Sequence, residues 1–282
     1  MKMLEKIDRN SPPRILRELN ALLQAVFGFN FERWHQYARW PAEYTCYGIF
    51  EGERLLANAG VFEMDLRVKG CPQPAVQLGA VATRPEVRGQ GLSRRILEHI
   101  LALYPGTPML LCANQAVVDF YPRFGFTRLP SWQARLSLRL DQPGVRMHRL
   151  AAEDPALAAY VEKRAVFSRL LDCRNAAPIL YFHLLHDDAH PAYEIPELGC
   201  LLVAVQRGAA LCLQELVATR PVTFAELVPY LGFSGVKNIQ FGFNPDWLGV
   251  KPQWVLREKD LLFQRAALDL PEPCCFPELL RT

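Results

Sequence analysis

The 282-residue sequence predicts a mixed α/β protein whose strand–helix pattern runs twice along the chain. Three observations carry that expectation. Helical spacing alternates with short apolar or period-two stretches in both halves. The pentapeptide VATRP recurs at 81–85 and 217–221, each time leaving an apolar strand toward a helix. Between the two copies, Asp141-Gln142-Pro143-Gly144 has linker composition, which sets expected domains at 1–144 and 145–282.

Each element has its own signal. Apolar residues at 15, 16, 19, 22, 23, 26 and 27 make a helix face. Strands are expected at 45–50 and 55–61, joined at Glu51-Gly52-Glu53, and the second continues by clean alternation through 62–68. The turn Lys69-Gly70-Cys71-Pro72 leads into 75–83, apolar enough to be buried on both faces. Leu92, Ile96, Leu97, Ile100, Leu101 and Leu103 form the stripe of a helix that Pro105-Gly106 ends. Strands follow at 109–112 and within 126–140. The second half repeats the theme, with helical stretches around 155–186 and a hairpin over 200–217 that turns at Arg207-Gly208. A helix over 224–231 with Thr223 as its cap then precedes strands at 238–243 and 261–266.

Composition excludes several classes. Half the residues are hydrophobic and 22% are charged, so disordered, fibrous and coiled-coil chains are ruled out. Thirty-two basic against twenty-nine acidic residues give a net charge of +3, with no basic run suited to nucleic acid. No apolar run reaches the roughly 18 residues of a membrane span. The charged start of the chain is unlike a signal peptide, so a cytoplasmic location is expected. Eight cysteines without any CxxC spacing read as buried thiols, and no metal site is expected. His183, His186 and His190, with Asp187 nearby, read as a solvated helix end.

Chemistry concentrates in two motifs. Arg88-Gly89-Gln90-Gly91-Leu92-Ser93-Arg94 joins a buried strand to an amphipathic helix. Glycines let the backbone curl around a ligand, and a helix start adds unpaired N–H groups and a positive dipole end, together a diphosphate site. Neither GxxxxGK[ST] nor GxGxxG is present. The second motif, a short strand further on, contains Asn114, Tyr121, Gly125 and Phe126.

Together these motifs resemble the pair that marks the GNAT superfamily of acyl-CoA-dependent N-acyltransferases. Arg88-Gly89-Gln90-Gly91-Leu92 matches [QR]xxGx[GA] except that Ser93 ends it, and Asn114, Tyr121 and Gly125-Phe126 match the second. The resemblance covers roughly residues 15–140. It implies two tandem GNAT-like domains, each a central, mostly antiparallel sheet flanked by helices, with the second lacking the phosphate loop. It further implies acetyl-CoA as cosubstrate and direct transfer to a primary amine of a small molecule or peptide. Val81, Ala82 and Thr83 would meet the pantetheine arm, Gly89 to Arg94 the pyrophosphate, and Asn114 the pantetheine. Tyr121 would protonate the departing thiolate. The alternative is a non-catalytic acyl-CoA-binding or interaction module, and self-association stays open.

The general base is not legible. Where relatives carry a glutamate on the central strand this chain has Gln77, and at the other familiar place it has Met109. Glu63 and Asp65 are the nearest carboxylates in sequence. The tail carries Phe276, Leu279 and Leu280, suited to docking on an apolar surface. It is therefore expected either to pack on its own domain or to bring Glu278 or the terminal carboxylate to the cleft.

Overall fold

Fifteen strands and six α-helices follow one another in the computed structural model, which describes residues 2–37, 39–140, 144–145, 147–186 and 189–282. The first half contains β1 (Lys2–Ile7), α1 (Pro13–Phe27), α2 (Glu32–Gln36), β2 (Tyr44–Glu51), β3 (Arg54–Val68), β4 (Cys71–Thr83), α3 (Leu92–Leu103), β5 (Met109–Cys112), β6 (Thr127–Arg128) and β7 (Trp132–Leu140). The second contains β8 (His148–Leu150), α4 (Pro155–Glu162), β9 (Leu171–Cys173), α5 (Ala177–His186), β10 (Ala192–Ile195) and β11 (Cys200–Arg207). It continues with β12 (Ala210–Ala218), α6 (Phe224–Leu227), β13 (Val236–Phe241), β14 (Gln253–Leu256) and β15 (Leu262–Arg265). The expected linker residues 141–143 lie outside the described residues.

Local sequence accounts for the main elements. Helix α1 starts at Pro13, whose missing N–H costs nothing at a helix start, and buries Ile15, Leu19, Leu22 and Leu23. It stops at Gly28, left-handed at φ 80°, whose N–H caps Gln24. Helix α3 buries Leu92, Ile96, Leu97 and Ile100, each such side chain contributing about 1.5–3 kcal/mol relative to exposure. Strand β1 had no signal in the sequence; it pairs with β2 along its whole length at the sheet edge.

The two sheets share one topology. The first runs β1-β2-β3-β4-β5-β15-β6, with β9 added on β3, and the second runs β8-β10-β11-β12-β13-β7-β14. In each, one parallel pair, β4 with β5 and β12 with β13, sits among antiparallel neighbours. The chain is therefore two mixed α/β sheets flanked by helices.

The expectation that 126–140 belongs wholly to the first half is corrected here. Strand β7 pairs with β13 and β14 in the second sheet. Its place in the first sheet, between β5 and β6, is filled by β15 from the far end of the chain. The exchange is reciprocal: each sheet lends the other the same position. The two connectors cross side by side, with Arg257 N–H donating to Ser131 O at 2.8 Å and Ser131 Oγ to Asp260 Oδ2 at 2.9 Å.

Packing reinforces the exchange. One apolar cluster takes Leu19, Phe62 and Met64 from the first half together with Leu180, Leu201, Val203 and Leu280 from the second. Two further clusters lie on the outer faces, one under α3 and one under α6. Among the described residues no helix is long and apolar enough to cross a membrane. All eight cysteines are free thiols; six are buried, Cys71 is exposed and Cys112 is partly so.

Because residues 1–144 lack the strand between β5 and β6, that fragment is expected not to fold alone, whereas co-expression with 145–282 restores a folded complex. Circular dichroism melts check this; a cooperative transition in fragment 1–144 by itself would contradict it.

Candidate active site

The parallel pair at the centre of the first sheet opens like a wedge. Strands β4 and β5 are paired only at Val76–Met109, Gln77–Leu110 and Leu78–Leu111. Beyond that point β4 bulges, its pairing with β3 shifting between Asn58 and Gly60, and Ala80 adopts φ 49°. Left-handed backbone at alanine costs about 1 kcal/mol or more, and here Asn58, fully buried, donates to Ala80 O at 3.1 Å. The bulge turns Val81, Ala82 and Thr83 away from β5, leaving their β5-side edge without a partner strand. Beyond Cys112, β5's side of the wedge continues with Ala113, whose N–H goes to Leu261 O at 2.8 Å.

At the mouth of the wedge lies the glycine loop. Gly89 and Gly91 have φ of 77° and 75°, and a Cβ at either would meet nothing within 4 Å. The loop thus borders open space and has the conformation glycine takes readily. Gly91 caps α3 with no side chain bonded to the first turn, so the N–H groups of Leu92, Ser93 and Arg94 lack intrahelical acceptors. The loop's side chains fix it to the sheet. Arg88 Nε donates to Thr83 O at 3.3 Å, Ser93 Oγ meets Thr83 Oγ1 at 2.6 Å, and Gln90 accepts from Lys2 Nζ at 2.6 Å. The Arg94 guanidinium stacks 5.9 Å over the Phe124 ring.

Asn114 follows β5 closely, and Tyr121 sits in the apolar cluster that holds Leu78 of β4, Leu111 of β5 and Ile96 of α3. Asn114 is exposed, and its Oδ1 accepts from Ala116 N–H at 3.0 Å. Tyr121 is 5% exposed and packs edge-on against Phe120 and Phe126. Burial pushes its hydroxyl up to about 12, so the proton is held throughout the neutral range.

The expected carboxylates are elsewhere. Glu63 accepts from Tyr104 OH at 2.7 Å on the outer surface, and Asp65 faces Arg67 and Arg174. Glu278 follows the other expectation, packing on its own half: it pairs with Arg257 at 2.7 Å, against the second sheet. The tail nevertheless reaches the wedge. Gln77, fully buried, donates through Nε2 to Leu280 O at 3.0 Å and accepts from Thr282 N–H and, at 2.8 Å, from Thr282 Oγ1. Its amide grips the tail as a neighbouring strand would. Thr282 then lies over Gly79, where a Cβ would come within 2.7 Å of Thr282 Cβ and 2.8 Å of its carbonyl carbon. Only glycine admits that approach.

Two further groups hold the tail. His183 Nε2 meets Arg281 O at 2.9 Å, and burial lowers its imidazole to about 4. His183 is therefore packed under the tail, which corrects the solvated reading for that residue; His186 at the helix end is exposed, His190 turns to Gln214 Oε1 at 3.1 Å, and Asp187 lies outside the described residues. Arg281 reaches Asp260 at 3.0 Å, on the connector from β14 into the exchanged β15. Sequence reasoning missed Asp260 and Arg281 because no local spacing links them; Gln77 had a signal, an amide on a central buried strand.

Gln77→Ala leaves Leu280 O and Thr282 N–H without partners. The expected cost is about 1–3 kcal/mol in urea unfolding, since buried groups lose their bonds without regaining water. An unchanged midpoint would show that the amide does not hold the tail.

Comparison with known proteins fits this geometry. Residues 9–129 match the family model described as "Acetyltransferase (GNAT) domain". A probable N-acyltransferase of unknown function from Enterococcus faecalis V583 superposes with a TM-score of 0.63 at 15% identity, covering 94% of this chain and 72% of that one. A GCN5-related N-acetyltransferase from Kribbella flavida gives 0.54 at 19% identity, over 93% and 72% of the two chains. Eis1 from Mycobacterium abscessus gives 0.54 at 14%, over 94% and 73%. No curated protein matches the sequence. The chain has the GNAT fold, in two linked sheets that resemble the tandem GNAT architecture.

Proposed function

We propose that the chain is an N-acetyltransferase that moves the acetyl group of acetyl-CoA directly to a primary amine of a small molecule or peptide. The observation that carries this reading is the wedge itself: a bulged central strand, a glycine loop with free helix N–H groups at its mouth, and a buried tyrosine beside it. In this reading the pyrophosphate lies on the N–H groups of Gly89 to Arg94, stabilised by the helix dipole. The pantetheine arm adds along Val81, Ala82 and Thr83 as an extra strand would, and Asn114 donates its amide to it.

Tyr121 supplies the proton for the leaving group. Attack of the amine on the thioester carbonyl forms a tetrahedral intermediate; its collapse breaks the C–S bond and releases the CoA thiolate. A thiol in water titrates near ~8.5 and a tyrosine near ~10. Burial raises Tyr121 to about 12, and the same apolar wedge makes the desolvated thiolate more basic, so the two remain close enough for transfer. Neither Gln77 nor Met109 takes a proton, so in this reading the amine arrives neutral and passes its proton to a water chain.

The second copy has lost its cofactor loop in this reading. The segment between β12 and α6 contains no glycine, and α6 is a single turn closed by a capping box: Glu226 N–H goes to Thr223 Oγ1, and Thr223 N–H to Glu226 Oε2. The Glu226 carboxylate occupies the place an anion would need, and these bonds hold it below the usual carboxylate range. A non-catalytic acyl-CoA-binding module is the second reading, favoured by the amide at Gln77 where a carboxylate would serve as base.

Release of free thiol from acetyl-CoA across a library of amines separates the two, with turnover expected for the enzyme. Tyr121→Phe keeps the ring packing and should lower turnover by about 10²–10⁴ while acetyl-CoA affinity survives. Since the hydroxyl titrates near 12, turnover is also expected to show no alkaline fall from this group below about pH 11. A loss under threefold with chemistry rate-limiting would remove Tyr121 from the mechanism.

A further inference from the structure

The second sheet has an opening of its own at the position equivalent to the acyl-CoA wedge of the first. Strands β12 and β13 are paired from Ala210–Asn238 to Leu213–Phe241, and Gly242 N–H still reaches Leu213 O at 2.7 Å. Past that point the strands part. Strand β12 continues with β11 through a register shift between Val203 and Ala204, while the other side leads to Gly242, Phe243 and Asn244. This repeats the bulge and parting of β4 and β5.

The opening is filled by the chain's own tail. Glu278 N–H donates to Gly242 O at 2.7 Å. Asn244, 1% exposed, makes a two-point grip on Cys275: its Oδ1 accepts from Cys275 N–H at 2.7 Å and its Nδ2 donates to Cys275 O at 2.9 Å. Gly242 is required by the approach, since a Cβ there would stand 2.8 Å from Gln214 O and 3.1 Å from Glu278 Oε2. Arg257 pairs with Glu278 at 2.7 Å, and Phe276 beside it is 2% exposed. Four residues after Glu278, Thr282 lies on Gln77 and Gly79 in the first opening. One short segment, with a 3₁₀ turn at Glu278–Leu280 between its two contacts, spans both openings.

We propose that the second opening, equivalent to a cofactor site, is a peptide-binding site for residues 275–278 of this chain, and that Gly242, Asn244 and Arg257 are positioning residues that aim Thr282 into the first. A backbone-binding edge needs little change to make this conversion. In place of a pantetheine arm added along a strand edge, this opening takes a peptide through one backbone bond, Glu278 N–H to Gly242 O, and through the Asn244 amide on Cys275. The second copy then has a physical role without binding acyl-CoA, namely to set the register of the tail. The aim of Thr282 matters for turnover only under the acetyltransferase reading, on which that part rests; the tail-binding site itself does not depend on it.

Hydrogen exchange of the full chain, read by mass spectrometry, tests the site without any activity. In Asn244→Ala, amides in 275–282 should exchange at least tenfold faster while α3 stays protected. Glu278→Ala removes only a partly exposed side chain, and should speed exchange of 278–282 at least threefold; it serves as the test if Asn244→Ala fails to fold. Saturating acetyl-CoA should protect the loop at 88–94 and leave 275–278 unchanged. Tail amides that stay protected in Glu278→Ala and in folded Asn244→Ala would overturn the site, and so would release of 275–278 by acetyl-CoA. If wild type turns over amines, the variant that frees the tail should lose turnover at least tenfold with acetyl-CoA affinity kept. Full turnover with a freed tail would overturn the positioning role alone, and an inactive wild type with the expected exchange would refute the acetyltransferase reading and leave the tail site standing.

Discussion

Everything at the centre of this molecule depends on the reciprocal exchange of one strand between its two sheets. Strand β15 completes the first sheet between β5 and β6, and β7 completes the second between β13 and β14. Neither β4–β5 nor β12–β13 would stay flanked on the far side without the other half of the chain. The exchange also forces both connectors through one place, where Ser131, Arg257 and Asp260 bond to each other. That crossing becomes the anchor of the tail, because Arg257 takes Glu278 and Asp260 takes Arg281.

These ion pairs are partly buried, with Asp260 at 14% and Glu278 at 22% side-chain exposure, so they lie between the weak surface pair and the costly buried one. Their role is geometric more than energetic. Stability of the tail comes chiefly from Cys275, Phe276, Leu279 and Leu280, all at 3% exposure or less, while the charges fix which way the chain runs between them. A deeper charge cluster, Arg164 with Asp172 at 2.7 Å and Glu215 at 3.5 Å, ties β9 to β12. Burial raises the Glu215 carboxyl, and the Arg164 guanidinium opposes that rise.

Much of the fold was legible because it is written locally. Apolar spacing located α1 and α3, alternation located β3, and the recurrence of VATRP pointed to a second sheet built like the first. Strand exchange left no such trace. The pattern of 132–140 is that of a strand in either sheet, since side-chain alternation reports burial and not the partner. The glycine loop, Asn114 and Tyr121 stood out by motif. Thr282, Asn244 and the hold of the Gln77 amide on the tail did not, because they act through contacts spanning 31 residues for Asn244 and Cys275 and 205 for Gln77 and Thr282. The helix over 224–231 came out as one α-helical turn followed by a 3₁₀ turn at Val228–Tyr230, Pro229 lacking the N–H that would continue it.

The account assigns acyl-CoA to the first opening, which only Thr282 of the tail reaches, and residues 275–278 to the second, and calorimetric titration of the full chain with acetyl-CoA tests that division most directly. One site per chain is expected, weakened at least tenfold (~1.4 kcal/mol) by Gly91→Val, which places a branched side chain where the backbone is left-handed and borders open space. Two equivalent sites, or a single site that Gly91→Val leaves unchanged in a folded protein, would contradict it.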